Sequence, residues 1–294
     1  STKGKLIKIG TFSSFMSPFS TAEMIGDFAR RAEGLGLDSI WMGEHVVLFD
    51  EMEFPYPGSR DGKIPVPEGG GMLDTVATFG YLAAYTTTIR FGTGITLIPQ
   101  RNPIYTAKEF ATLDWLTDGR VDLGIGVGWC KEEVIACGYT FEDRGKRCDE
   151  ILDILKLLWT EPVAEYHGEF HDLAPCRMDP KPFQKPHIPI IVGGHSEAGF
   201  RRAAKYGNGW YGFQLDVAGT AGVIKSLDAA LADQGRSRDG FELVITPTFN
   251  VTEDMIKAYE DLGVDRLIIH LGSQRAERVD RRLLEMEKLV RVLA

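Results

Sequence analysis

Three short stretches of this 294-residue chain gather residue types that can do chemistry. The first, SIWMGEH, ends in Glu44 and His45. Histidine titrates near neutrality, so His45 can give or take a proton, with Glu44 either organising it or reacting itself. A structural histidine bonded to a neighbouring strand is the alternative. The second, GIGVGWCKEE at 124–133, has glycine at every second position, then Trp129, Cys130, Lys131, Glu132 and Glu133. Strand interiors avoid glycine, which loses the most backbone entropy and packs nothing. With a period of two, Gly124, Gly126 and Gly128 share one face, and that bare face makes room for large neighbours or a planar ligand, with Trp129 at the rim. Glu132 and Glu133 fall in the first turn of the next helix, where acids suit the positive end of the dipole. The third stretch, IVGGHSEAGF, leads from Gly193 and Gly194 through His195 and Ser196 into a helix. Backbone N–H groups and the helix dipole converge there on a site for an anion such as phosphate, although Ser196 serves equally as a plain N-cap. In GTGITLIPQ, Gly92 and Gly94 likewise strip a strand end of side chains, so that a flat ligand can lie on backbone or a helix can pack closely.

Other chemistries lack their signals. There is no H-E-x-x-H, no Cys/His cluster, no G-x-S-x-G elbow and no Walker loop. His167 and His171 are separated by Gly168 in what reads as a hairpin, so no metal is expected. Cys130 reads as a small packing residue rather than a nucleophile.

The elements that must position these residues alternate regularly. Strand-like runs fall at 6–12, 38–45, 89–97, 121–128, 188–194, 209–213, 241–249 and 264–272. Helical patterns lie at 21–35, 72–86, 103–117, 144–159, 196–206, 217–233, 253–262 and 277–292. Alternation implies parallel pairing, and eight units in one domain spanning 1–294 predict an α/β fold, a (β/α)8 TIM barrel, over an open doubly wound sheet. All three stretches then stand at strand C-termini, on the face where barrel sites form. Two insertions break the rhythm. Residues 46–71 follow strand two and are placed to act as a lid; residues 161–187 precede strand five and start on the opposite face.

A net charge of −9 argues against a nucleic-acid partner or an acidic membrane surface. No apolar run approaches the ~20 residues of a membrane span, and the start STKGKLIKIG shows no signal-peptide core. The cysteines, at 130, 137, 148 and 176, form no C-x-x-C, so free thiols and a cytoplasmic location are expected.

GRVDLGIGVGWCKEE with FEDRGKRCDEILDILKLLW, together with SIWMGEH, GTGITLIPQRNPIYTAKEFATLDWLTDGR and PIIVGGHSEAGFRRAAKYGNGW, resembles the bacterial luciferase-like monooxygenase superfamily over roughly residues 5–275. It is most similar to the branch of coenzyme F-420-dependent oxidoreductases. The resemblance implies a flavin or deazaflavin ring at the barrel mouth. It further implies a non-proline cis peptide at Gly94–Ile95 behind the ring and Thr96 beside it. Gly128 and Trp129 would line the cofactor groove, and Gly193, Gly194, His195 and Ser196 would hold the phosphate. His45, with Glu44, would contact the ring's surroundings or transfer a proton. In the sugar-phosphate dehydrogenase branch a Glu closely follows the strand-four glycines. Cys130 and Lys131 stand there in this chain, so neither that mechanism nor that substrate carries over. The implied activity is F-420-dependent hydride transfer to or from a small organic substrate. The alternatives are an FMNH2-dependent monooxygenase using O2 and a partner reductase, and a non-catalytic flavin-binding barrel. Arg60, Lys63 and Lys131 are candidates to meet the anionic F-420 tail. Helices 72–86 and 103–117 are candidates for a homodimer contact, and loops 46–71 and 161–187 for the substrate pocket.

Overall fold

The computed structural model describes residues 6–248, 251–272 and 275–292. β1 (Lys8–Phe12) and α1 (Ala22–Gly34) precede β2 (Ser39–Met42) and α2 (Thr75–Ala83). The next strand is split into β3 (Arg90–Thr93) and β4 (Thr96–Leu97), and a 3-10 turn at Ile98–Gln100 leads into α3 (Pro103–Leu116). Then come β5 (Val121–Gly126), a short α4 (Lys131–Ala136) and a long α5 (Arg144–Thr160). A hairpin of β6 (Ala164–His167) and β7 (Asp172–Cys176) interrupts the alternation. It resumes with β8 (Ile190–Gly193), α6 (Glu197–Tyr206), β9 (Gly209–Phe213), α7 (Val217–Asp233), β10 (Glu242–Thr246), α8 (Glu253–Asp261), β11 (Arg266–His270) and α9 (Ala276–Val292).

The strands pair in the order β3, β2, β1, β11, β10, β9, β8, β5, all parallel. β5 then returns to β3 through Phe91↔Val121 and to β4 through Thr96↔Ile125, which closes the ring. The chain is therefore the expected (β/α)8 barrel, and the open sheet is excluded. Helix ends follow local chemistry: Thr21 accepts the Met24 amide to start α1, and Gly36, at φ +83°, turns the chain back toward β2. Strand 241–249 stops at Thr246, and Phe249 lies outside the described residues. Among the described residues no helix is long and apolar enough to cross a membrane, and the four cysteines are free thiols.

Alternating side chains divide the core. Phe12, Trp41, Ile191, Tyr211, Val244 and Ile268 fill the barrel, with Trp41 stacked on Tyr211 at 5.7 Å; a larger apolar layer lies between strands and helices. The base of the barrel is ionic. Arg266, 3% exposed, meets Asp122 at 2.8 Å, Glu242 at 3.0 Å and Asp38 at 3.1 Å, and Arg90 also pairs with Asp122 at 2.8 Å. Burial alone would raise the Asp122 carboxyl, but Arg266 and Arg90 hold it well below the carboxylate range.

Glu33 closes the turn into β3 by accepting the amides of Thr87, Thr88 and Ile89 at 2.9, 2.7 and 2.9 Å. Partial burial opposes its charge, yet those three donors bring its pKa down from 4.5 to about 2. A depressed folded value means stability that is complete above the unfolded pKa and lost as pH falls through the folded one. Thermal melts should therefore show the wild type losing stability between pH 4.5 and 2 more steeply than Glu33→Gln. Parallel pH profiles for the two proteins would refute this role.

Candidate active site

A cavity of about 630 Å³ opens at the C-terminal mouth. The alternating glycines of β5 explain its floor, though not as a direct seat for a ligand. A Cβ on Gly124 would stand 1.7 Å from the Thr93 carbonyl oxygen, and one on Gly126 would stand 1.8 Å from Ile95 Cδ1. The bare face of β5 thus receives the break between β3 and β4. Gly92 likewise lies beneath Trp41, whose ring would come within 2.3 Å of an added Cβ, so it offers no ligand surface. Seated in this way, Gly94 and Ile95 reach the cavity wall, and the peptide between them is cis. Thr96 is wholly buried and away from the cavity, correcting its expected place beside a ring. Strand alternation turns Ile95 and Leu97 to the cavity and Thr96 to the opposite side.

His45 forms one wall. Its Nδ1 is 2.8 Å from Oε2 of Glu133, which is fully buried, and Glu133 Oε1 accepts the Val46 amide at 2.6 Å. An ionised carboxylate only accepts, so Nδ1 carries the hydrogen of that contact. Nε2 makes no hydrogen bond to any described residue. Trp129, with centroids 5.7 Å away, and Tyr56, 6.4 Å away, meet the imidazole edge-on. Burial pushes the Tyr56 phenol up, so it remains a neutral wall. Sequence reasoning gave Glu133 only a place in the first turn of α4. Its neighbour Glu132 does turn outward, accepting the Glu53 amide at 2.8 Å.

Glu44 is engaged elsewhere. It is 6% exposed, accepts the Leu97 amide at 2.7 Å and pairs with Arg101, which also bonds Glu109. Burial pushes its carboxyl up, against the pull of Arg101 and the Leu97 amide. The residue fastens the end of β2 to β4 and borders the cavity without a free oxygen.

After β8, Gly193, Gly194 and His195 line the cavity, with Gly194 at φ +117°. Ser196 does not line it: its hydroxyl accepts the Gly199 amide at 3.2 Å and caps α6. His195 Nε2 accepts the Phe213 amide at 3.2 Å, which requires an unprotonated nitrogen, and partial burial pushes its pKa down in the same direction. Gly128, at φ +80°, and Trp129 both face the cavity. Cys130 is buried, and burial raises its thiol, so it stays protonated.

Loop 46–71 covers the mouth with Tyr56, Pro57, Gly58, Ile64 and Pro65. It is pinned by Ser17 to Gly71 at 2.9 Å on one side, and by Lys131 to Glu53 at 2.8 Å on the other. Arg60, Lys63 and Lys131, the candidates to meet an anionic cofactor tail, do not line the cavity wall. Loop 161–187 contributes nothing to the cavity either. After its hairpin it follows α5, where Lys181 caps the Leu158 carbonyl at 2.8 Å, and reaches the base, where Gln184 bonds Asp114 at 2.7 Å. His167 is held by Asp172 and Glu165, and His171 by Glu150; among the described residues no cluster suits a metal. A second cavity, about 740 Å³, opens at the base, but its Arg90, Asp122, Glu242 and Arg266 neutralise one another. Of the helices expected at a dimer contact, α2 turns Phe79 and Leu82 into the core, whereas α3 leaves Tyr105, Trp115 and Leu116 exposed.

Fold and cavity together define a TIM barrel with a lidded cavity at its C-terminal mouth, the face on which enzymes of this fold carry their active sites. The match extends along nearly the whole sequence: the chain belongs to the luciferase-like monooxygenase family, whose model covers residues 8–290. It is 33% identical over 257 residues to an uncharacterized protein of Mycobacterium tuberculosis, covering 85% of this chain and 88% of that one. It is 28% identical over 267 residues to an F420-dependent glucose-6-phosphate dehydrogenase of Kineococcus radiotolerans, covering 88% and 73%. Among solved structures it resembles an F420-dependent secondary alcohol dehydrogenase in complex with an F420-acetone adduct. The TM-score is 0.77 over 98% of this chain and 99% of that one; at 17% identity this is a likeness of fold.

Proposed function

We propose that the protein is a coenzyme F-420-dependent oxidoreductase acting on a small organic substrate, with His45 giving or taking the proton that accompanies hydride transfer. The observation that carries this reading is His45, held from behind by the buried Glu133, in the wall of a lidded, largely uncharged cavity. The cavity suits a flat ring. Main chain of Gly43, Gly94 and Gly193 borders it there. The exposed main chain at Gly194 and His195, leading into ten-residue α6, suits the cofactor's phosphate. When bound, the deazaflavin supplies the hydride chemistry. The chain's own part is to hold the substrate oxygen at His45 Nε2, to move a proton at that atom, and to exclude water beneath Tyr56 and Ile64. The F420-dependent relative supports this choice of cofactor.

The apolar walls and lid also favour a second reading, a monooxygenase using reduced FMN from a partner reductase, since oxygen chemistry needs water kept out. We place a homodimer contact on α3, whose Tyr105, Trp115 and Leu116 form an apolar face. Equilibrium binding of oxidised F-420 and of FMN, followed by tryptophan quenching, separates the readings, because Trp129 lines the cavity. F-420 should bind at about micromolar Kd or tighter, and FMN about tenfold more weakly. The reverse order would establish the monooxygenase reading, and binding of neither would overturn both.

A further inference from the structure

We infer that the substrate is a neutral, largely apolar alcohol or carbonyl compound, and that the cavity rejects anionic substrates. The inference rests on the function proposed above and names the substrate class of that site. Among the described residues, no lysine or arginine lines the cavity. Phe12, Met16, Ile64, Met72, Val127 and Phe213 supply apolar wall. The formally charged side chain at its edge, Glu44, is negative and already bonded to Arg101 and Leu97. Of the cations near the mouth, Lys131 is committed to Glu53, Arg101 to Glu44 and Glu109, and Arg144 Nε to the Gly128 carbonyl at 3.1 Å, while Arg60 and Lys63 stand on the lid outside the cavity wall. In the connections that follow β10 and β11, the residues outside the description are Phe249, Asn250, Ser273 and Gln274, none of them basic.

An anion entering this space would lose its hydration without gaining a partner charge, which is costly. The backbone anion site before α6 does not relieve that cost, since the cofactor's phosphate takes it. What remains for substrate is His45 Nε2 with the neutral polar groups of Ser14, Tyr56 and Gln214, in an otherwise apolar surround. Such a site suits a neutral oxygen-bearing group on a largely hydrocarbon skeleton. The glucose-6-phosphate named for the Kineococcus relative is therefore not carried over to this cavity.

The test is binding to the full chain, measured by calorimetry and tryptophan quenching with and without F-420. The probes are secondary alcohols and methyl ketones of rising chain length, each beside the carboxylate of the same skeleton. The comparison is read in the F-420-loaded protein, where the cofactor's phosphate occupies the α6 terminus that would otherwise take a carboxylate. Affinity for the neutral series should rise about fourfold per methylene until the cavity fills, and each carboxylate should bind about tenfold more weakly or worse. Carboxylates that match the neutral probes, or no gain with chain length, would overturn the inference. Ile64→Arg, which adds a cation to the lid's inner face, should improve carboxylate binding and weaken the neutral probes. If it changes neither affinity, the probes bind outside this cavity and the inference falls. The expected ranking in a protein that ignores F-420 would remove the cofactor reading alone. F-420 binding with equal acceptance of carboxylates would remove the substrate class alone.

Discussion

Glu133→Gln should lower kcat by about a hundredfold or more while leaving KM little changed. Glu133 does not line the cavity, so it acts as a positioning residue through His45. Its two carboxylate oxygens accept from His45 Nδ1 and from the Val46 amide. A glutamine keeps one acceptor and presents an N–H to the other partner. Satisfying Val46 then turns an N–H onto Nδ1 and drives the imidazole hydrogen to Nε2, the wrong atom for taking a proton from substrate. Nitrogen NMR of labelled protein reads this without any substrate: hydrogen on Nδ1 in the wild type, shifted toward Nε2 in the variant. His45→Ala should cost about as much, and the double variant little more than either single one. A wild-type ring protonated at Nε2, or full turnover in Glu133→Gln, would sink the assignment.

Gly124→Ala should cost about 3 kcal/mol or more, at the upper end of what overpacking does. The added methyl would meet the Thr93 carbonyl, part of a backbone already tied to β5 by the Thr93 hydroxyl on the Gly124 oxygen at 2.7 Å. Gly126→Ala presses instead on the end of the Ile95 side chain, which has some freedom to move. That variant should lose about 1–3 kcal/mol and regain part of it when Ile95→Val removes the offending methyl. Urea denaturation gives both numbers. A Gly124→Ala protein as stable as Gly126→Ala would mean that β5 can slide relative to β3.

The barrel was legible because it is written locally. Apolar runs, helix stops and their alternation recur eight times, and each can be read within a short window. The lid was legible for the same reason, since a long loop after a strand has only one face to cover. Glu133 was not, because its partner is 88 residues away and α4 has to be oriented before one of two adjacent acids points inward. Glycine spacing revealed a bare face but not its occupant, which comes from a different strand. Thr96 was misplaced because the break between β3 and β4 resets the alternation, so Ile95 and Leu97 face the mouth. Loop 161–187 starts on the opposite face, as expected, and stays there once Lys181 and Gln184 find their partners on α5 and α3, so only its expected share of the substrate pocket fails.

The ion cluster at the base has a consequence for how such a molecule can change. Asp38, Arg90, Asp122, Glu242 and Arg266 come from the ends of five strands and lock the closure of the ring at the end remote from the ligand. None of them borders the mouth cavity. The rim can therefore be rewritten, its lid exchanged and its pocket reshaped, while the contacts that close the chain into a barrel stay in place.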